Sequence, residues 1–159
     1  MGEPGRLILI CGLPGAGKTT VADRLVLRLG IPRYSSDDWL ARLSLLISDE
    51  PRRAAIEDLQ WVEIQQLLAL GGSAIVEWGF WSRADRDRLR LAARALGATV
   101  HLVYLEASLD VLMDRIARRA RENPPITRQM MTHWASLMQV PDADELALFD
   151  PLPQDYLND

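Results

Sequence analysis

The chain has 159 residues, 48% hydrophobic and 25% charged, with a formal net charge of −4 and a pI of about 5.2, which fits one globular domain with an ordinary core. The acidic balance excludes a global attraction to nucleic acid or an anionic membrane, although a local basic patch stays open. One cysteine, Cys11, excludes an internal disulfide and suggests no metal cluster; with no apolar run near the ~20 residues of a membrane span and no leader pattern, a cytoplasmic protein is expected.

In chain order, Arg6–Cys11 is a continuous apolar run, the pattern of a strand buried on both faces. After the glycine-rich stretch CGLPGAGKTT, a helix is predicted with Val21, Leu25 and Leu29 on one face and Gly30 as its stop. IPRYSS predicts a brief second strand. DDWLARLSLLI resumes helical spacing, with an N-cap among Ser36, Asp37 and Asp38. A longer amphipathic helix runs from Pro51 to Leu70, with Pro51 in its first turn and Gly71-Gly72 behind it.

SAIVEW predicts a third strand, SRADRDRLRLAARALG a helix capped by Ser82, and ATVHLVYLE a fourth strand. SLDVLMDRIARRARE is a further helix that NPP breaks, and TRQMMTHWASLM a last one. LALF in the acidic tail is expected to add a short fifth strand. Alternating strands and helices predict an α/β fold: three layers, α/β/α, around a mainly parallel five-stranded sheet, in one domain over residues 1–159.

GLPGAGKT matches G-x-x-x-x-G-K-[ST] through Gly12, Gly17, Lys18 and Thr19, with a buried strand before it and a helix after it. Gly12, Gly15 and Gly17 permit positive φ and leave room for backbone N–H groups to converge on phosphate oxygens. The helix behind adds its own unpaired N–H groups and the positive end of its dipole. The loop, Gly12, Leu13, Pro14, Gly15, Ala16, Gly17, Lys18, Thr19 and Thr20, is therefore expected to hold a nucleoside triphosphate. Lys18 would reach the β- and γ-phosphates, and the Thr19 hydroxyl would ligate Mg²⁺. No N-K-x-D stretch for guanine recognition occurs. The expected class is a kinase-type P-loop NTPase.

In parallel sheets of this kind ligands lie beyond the carboxyl ends of the strands. YSSDDW sits at such an end, so Asp37 is the candidate general base for an acceptor hydroxyl and Asp38 a candidate substrate contact, next to Trp39. AIVEWGFW ends its apolar run at Glu77, an acid placed to hold Mg²⁺ or its water shell. Trp78 and Trp81 follow as candidate acceptor walls, and Arg86 as a further substrate candidate. RIARRARENPP supplies Arg115 and Arg119, i and i+4 on one face, able to clamp transferring phosphate charge, with a helical lid over about residues 115–127. His101 reads as a hydrogen-bonded core histidine.

GLPGAGKTT, then SSDDW after a short strand, then a strand ending in an acid and a helix bearing RIARR together resemble the polynucleotide 5′-kinase, chloramphenicol phosphotransferase and zeta-toxin branch of P-loop kinases, over about Leu7 to Met138. The resemblance implies ATP and Mg²⁺ as cofactors, Asp37 as general base, and Arg115 and Arg119 as the charge-neutralising arginines. Polynucleotide kinases often carry an arginine three positions after that base; this chain has Leu40 there, with Arg42 two residues on. The expected activity is transfer of the γ-phosphoryl of ATP to a hydroxyl of a small molecule such as an antibiotic, nucleoside or sugar, by a monomer or homodimer. Two alternatives stay open: a nucleic-acid 5′-hydroxyl kinase, and a non-catalytic nucleotide-binding switch or toxin-like protein.

Overall fold

The structure, a computed structural model, describes residues 2–158. Its strands are β1 (Arg6–Cys11), β2 (Arg33–Ser35), β3 (Ala74–Gly79) and β4 (Thr99–Tyr104). They form one parallel sheet in the order β2-β3-β1-β4. Along β1, Leu7, Leu9 and Cys11 enter one apolar cluster while Ile8 and Ile10 enter another on the opposite face. That is why the strand reads as an unbroken apolar run: both of its faces are covered.

The helices are α1 (Lys18–Leu29), α2 (Ser36–Arg42), α3 (Glu50–Ala69), α4 (Arg83–Ala95), α5 (Leu109–Arg119), α6 (Arg128–Leu137) and the short α7 (Ala143–Leu146). Ile64 and Leu68 of α3 and Leu89 and Ala93 of α4 cover one sheet face. Val21, Ala22 and Leu25 of α1 cover the other, joined by Leu152 and Tyr156 from the tail. A third cluster, Ala16 with Leu112, Ile116 and Met131, packs α5 and α6 against the glycine-rich loop.

Several boundaries differ from expectation. Among the described residues the sheet has four strands rather than five. The LALF segment instead closes α7, whose N-cap Asp142 accepts from Glu145 N. At the β4 edge, Asp150 N donates to Val100 O at 2.7 Å and Val100 N to Asp150 Oδ2 at 2.8 Å. The cap of α2 is Ser35, one residue before the predicted set, and α2 ends at Arg42. α5 stops at Arg119 because Ala120 turns left-handed, with φ 46°. Arg121 and Glu122 therefore lie on the loop leading to α6. His101 is buried as expected, its Nδ1 3.1 Å from Asp150 O.

Arg86 corrects a sequence expectation. It is fully buried rather than facing a substrate. Its Nε lies 2.6 Å from Glu145 Oε1 and its Nη2 2.9 Å from Glu145 Oε2, while the same guanidinium donates to Phe80 O and Gln139 O, both at 2.7 Å. The side chain thus ties α4 to the end of β3 and to the α6–α7 connection. Without it the buried Glu145 carboxylate would keep, among the described residues, only a longer contact with Arg83, at 3.7 Å, and losing one partner of a buried ion pair costs several kcal/mol where replacing both by apolar groups is nearly neutral. Arg86→Ala is expected to lower stability by about 3–5 kcal/mol, read as a fall in the urea unfolding midpoint. The double variant Arg86→Met with Glu145→Leu should recover most of that loss.

Candidate active site

The site grows out of the carboxyl ends of β1, β2 and β3. Gly12 N donates to Gly79 O at 3.0 Å, locking the start of the glycine-rich loop to the end of β3. Gly15 and Gly17 hold φ of +84° and +99°, which side chains resist. A Cβ on Gly15 would lie 2.8 Å from Leu112 O, so glycine is also what lets α5 approach. Gly17 caps α1 with no side-chain bond. Each of the other six described α-helices is capped by a side chain: Ser35, Asp49, Ser82, Ser108, Thr127 and Asp142. The first-turn amides of α1 are thus left to an external acceptor.

Lys18, in that first turn, folds back over the loop and donates to Gly12 O at 3.0 Å and Leu13 O at 2.9 Å. The residue is half-buried. Desolvation pushes its pKa down to about 8, against the attraction of Glu77 and Asp37. Thr19 Oγ1 donates to Glu77 Oε1 at 2.5 Å. Glu77, at the buried end of β3, also accepts from Arg33 Nη1 at 3.0 Å. Burial raises the Glu77 pKa; the Thr19 hydroxyl, Arg33 and Lys18 oppose that rise. Thr20 is exposed on α1, while Leu13 and Pro14 are half-buried.

Asp37 stands in the first turn of α2, held from two sides. Its Oδ1 accepts from Arg53 Nη1 of α3 at 2.5 Å and its Oδ2 from Arg121 Nη2 at 3.0 Å. Arg115 reaches from α5 to the glycine-rich loop, Nη1 donating to Gly15 O at 3.2 Å. Arg119 pairs with Glu122 and lies close enough for its charge to lower the Lys18 pKa further.

The structure brings together Lys18, Thr19, Glu77, Asp37, Arg115 and Arg119. It does not bring all the substrate candidates with them. Asp38 turns toward β2, where it pairs with Arg33. Trp78 is packing: its Nε1 donates to Gln60 Oε1 at 2.7 Å and its ring lies 5.6 Å from Phe80. The Trp81 and Trp134 rings meet at a tilt of 42°, centroids 5.9 Å apart, so Trp81 fastens α6 to the β3–α4 turn. Trp39 is half-buried on α2. Arg86, buried with Glu145, is structural.

Sequence reasoning missed Arg33, Arg53, Gln60 and Glu57. Gln60 is fully buried and donates to Ser35 O at 3.1 Å, fixing the turn that carries Asp37. Glu57 Oε1 accepts from Ser36 Oγ at 2.9 Å. The only local signal was Arg53 and Glu57 at i, i+4 on α3; their partners lie 16 and 21 residues away in the chain.

A family model described as an AAA domain matches residues 7–141, and the chain belongs to that family, AAA_33. Among curated proteins it is 32% identical over 122 residues to a shikimate kinase of Rhodopseudomonas palustris, covering 72% of this chain and 56% of that one. A shikimate kinase of Paramagnetospirillum magneticum is 32% identical over 139 residues, covering 80% and 64%. The chain thus spans little more than half the length of the first of these relatives.

Among solved structures, a gluconokinase from Sinorhizobium meliloti superposes with a TM-score of 0.60 at 22% identity, over 89% of this chain and 78% of that one. A sugar kinase from Janibacter gives 0.66 at 19%, over 97% and 91%. A chain of the Pnkp1/Rnl/Hen1 RNA repair complex gives 0.70 at 16%, over 94% and 48%. The fold is that of the P-loop kinase group.

Burial raises the Glu57 pKa to about 7 from an ordinary value of 4.5, opposed by the Ser36 hydroxyl and Arg53. A carboxyl whose folded pKa is raised binds more protons folded than unfolded between those values, so its contribution is present below about pH 4.5 and is lost as pH rises toward 7. Glu57→Gln keeps an acceptor for Ser36 and removes this dependence. In urea titrations from pH 4.5 to 8, the variant should match wild type at the acid end and exceed it at pH 8, by at most about 3 kcal/mol.

Proposed function

We propose that this member of the AAA_33 family is an ATP-dependent phosphotransferase that moves the γ-phosphoryl group to a hydroxyl of a small molecule. The observation that carries the reading is the convergence, at one end of the sheet, of uncapped α1 amides, Lys18, the Thr19–Glu77 pair and Asp37. The kinase names of the curated relatives support it, and shikimate, gluconate and other sugars head the acceptors to try.

Each residue has a task. The amides of Gly15 and of Gly17 to Thr20 wrap the phosphate chain, and Lys18 leaves the Gly12 and Leu13 carbonyls to meet the β- and γ-phosphates. Thr19 and Glu77 would hold Mg²⁺. Among the described residues no group of three or more His, Cys, Asp and Glu could cage a metal. A hydroxyl and one carboxylate beside bound phosphates suit an ion that keeps most of its waters. When bound, Mg²⁺ supplies charge neutralisation at the β- and γ-phosphate oxygens. Asp37 accepts the acceptor's proton and aims its oxygen, and Arg115 and Arg119 face the charge that develops on transfer. Residues 115–127, the end of α5 and the loop behind it, act as the lid.

A nucleic-acid end kinase needs a basic groove. Here Arg33, Arg53, Arg119 and Arg121 are each paired with a carboxylate, which favours a small acceptor. No described helix is long and apolar enough to cross a membrane, and we place the activity in the cytoplasm.

Two outcomes test the reading. Labelled ATP with a panel of shikimate, gluconate, sugars, nucleosides, aminoglycosides, amphenicols and 5′-hydroxyl oligonucleotides is expected to label one small-molecule class. Asp37→Asn should then keep ATP affinity within about twofold and lose turnover by about 10²–10⁴. Full turnover in that variant would remove Asp37 from the mechanism.

A further inference from the structure

The two oxygens of Asp37 are held in different ways. Arg53, which takes Oδ1, is itself fastened: its Nη1 also donates to Ser36 Oγ at 3.1 Å, its Nη2 to Ile47 O at 2.5 Å, and its Nε lies 3.6 Å from Glu50. Its side chain is 20% exposed, on the rigid 20-residue helix α3. Arg121, which takes Oδ2, sits on the loop just past the left-handed end of α5. Its side chain is 36% exposed, and among the described residues its other ion-pair partner is Glu122 at 3.4 Å. Glu122 belongs to the same loop and also holds Arg119. The contact between Arg121 and Asp37 therefore joins the lid segment to the acceptor side of the site.

We propose that Arg53 is a positioning residue that fixes one oxygen of Asp37, while Arg121 is an exchangeable latch on the other, displaced when the acceptor hydroxyl enters. This rests on Asp37 being the base. Each carboxylate oxygen has two lone pairs, and one on each is taken by a guanidinium; the one that Arg121 takes on Oδ2 is on the lid side, so a hydroxyl that enters from that side needs Arg121 displaced before transfer. Arg121 can leave with its loop, since it is tied to Glu122 rather than to the sheet. Arg53 cannot leave without breaking its bonds to Ser36 and to Ile47 O. With Oδ2 free, the acceptor O–H gives its proton there and its oxygen bonds the γ-phosphorus. The bond from that phosphorus to the β–γ bridging oxygen breaks, releasing ADP. The lid would then open and close the base by moving a single side chain.

Arg53→Met, Arg53→Lys and Arg121→Gln are compared with the wild-type full chain, with water as the acceptor, by measuring phosphate released from saturating magnesium–ATP, and by amide hydrogen exchange without nucleotide. The expected kcat for hydrolysis falls about 10–100-fold in Arg53→Met, recovers in part in Arg53→Lys, and rises several-fold in Arg121→Gln, with ATP Kd within about twofold throughout. A merely structural role would move both arginine sites downward. Exchange over residues 120–127 is expected to quicken in Arg121→Gln and equally in Asp37→Asn, but not in Arg53→Met. Wild-type hydrolysis in Arg53→Met, slowed hydrolysis in Arg121→Gln, or unchanged exchange in both latch variants would overturn the proposal. If wild type releases no phosphate to water, the exchange measurement alone decides the latch, and the acceptor panel alone decides the phosphotransferase reading.

Discussion

A helix that begins on glycine is the constraint around which the rest of this protein is arranged. α1 starts at Lys18 with no side chain to satisfy its first amides, and unpaired amides with an aligned dipole attract an anion. Keeping that helix start in place takes a great deal of structure. β1 is buried along its length and delivers the loop, Gly12 ties it to β3, and α5 comes down on it because Gly15 has no side chain to hold the helix off. The four-stranded sheet and its two apolar faces serve as the rigid base from which one loop is presented.

Around the loop lies a second layer made of charge pairs. Glu77 is shared between Thr19 and Arg33, Asp38 is taken by Arg33, Asp37 by Arg53 and Arg121, and Glu122 by Arg119 and Arg121. In a partly dry site an unpaired carboxylate is costly, so these pairings set where each acid points. They also divide the acids by task. Asp38 and Glu77 are bound into the β2–β3 side, next to the phosphate loop, whereas Asp37 alone faces the lid. Of the two arginines that sequence alone suggested as phosphate clamps, Arg119 belongs to this network through Glu122, whereas Arg115 bonds the carbonyl of Gly15 in the loop itself.

The fold was largely readable because it rests on local rules. Buried strands show as apolar runs, Ser82 announces its helix, and the glycine-rich loop carries a spacing that few other structures need. The fifth strand was misread because LALF is apolar enough for either state; what decided was Asp142 capping α7 and Arg86 drawing Glu145 inward, a contact across 59 residues. In the candidate site, Lys18, Thr19, Asp37 and Glu77 could be proposed from sequence because each occupies a strand end or a helix start. Arg33, Arg53 and Gln60 could not, since their importance comes from partners brought near only by folding. The tryptophans misled for a related reason: Trp78 and Trp81 stand at a strand end, but Gln60 and Trp134 claim them for packing.

The central claim is that the α1 start with Lys18 binds a polyphosphate chain. Titration calorimetry of magnesium–ATP into wild type and Lys18→Met, with inorganic tripolyphosphate as competitor, tests it most directly. The account predicts saturable binding to wild type, competition by tripolyphosphate, and a loss of about 10–100-fold in affinity for the variant, the size expected for a charge-assisted contact. Equal affinity in the two proteins, or binding that tripolyphosphate leaves untouched, would contradict it.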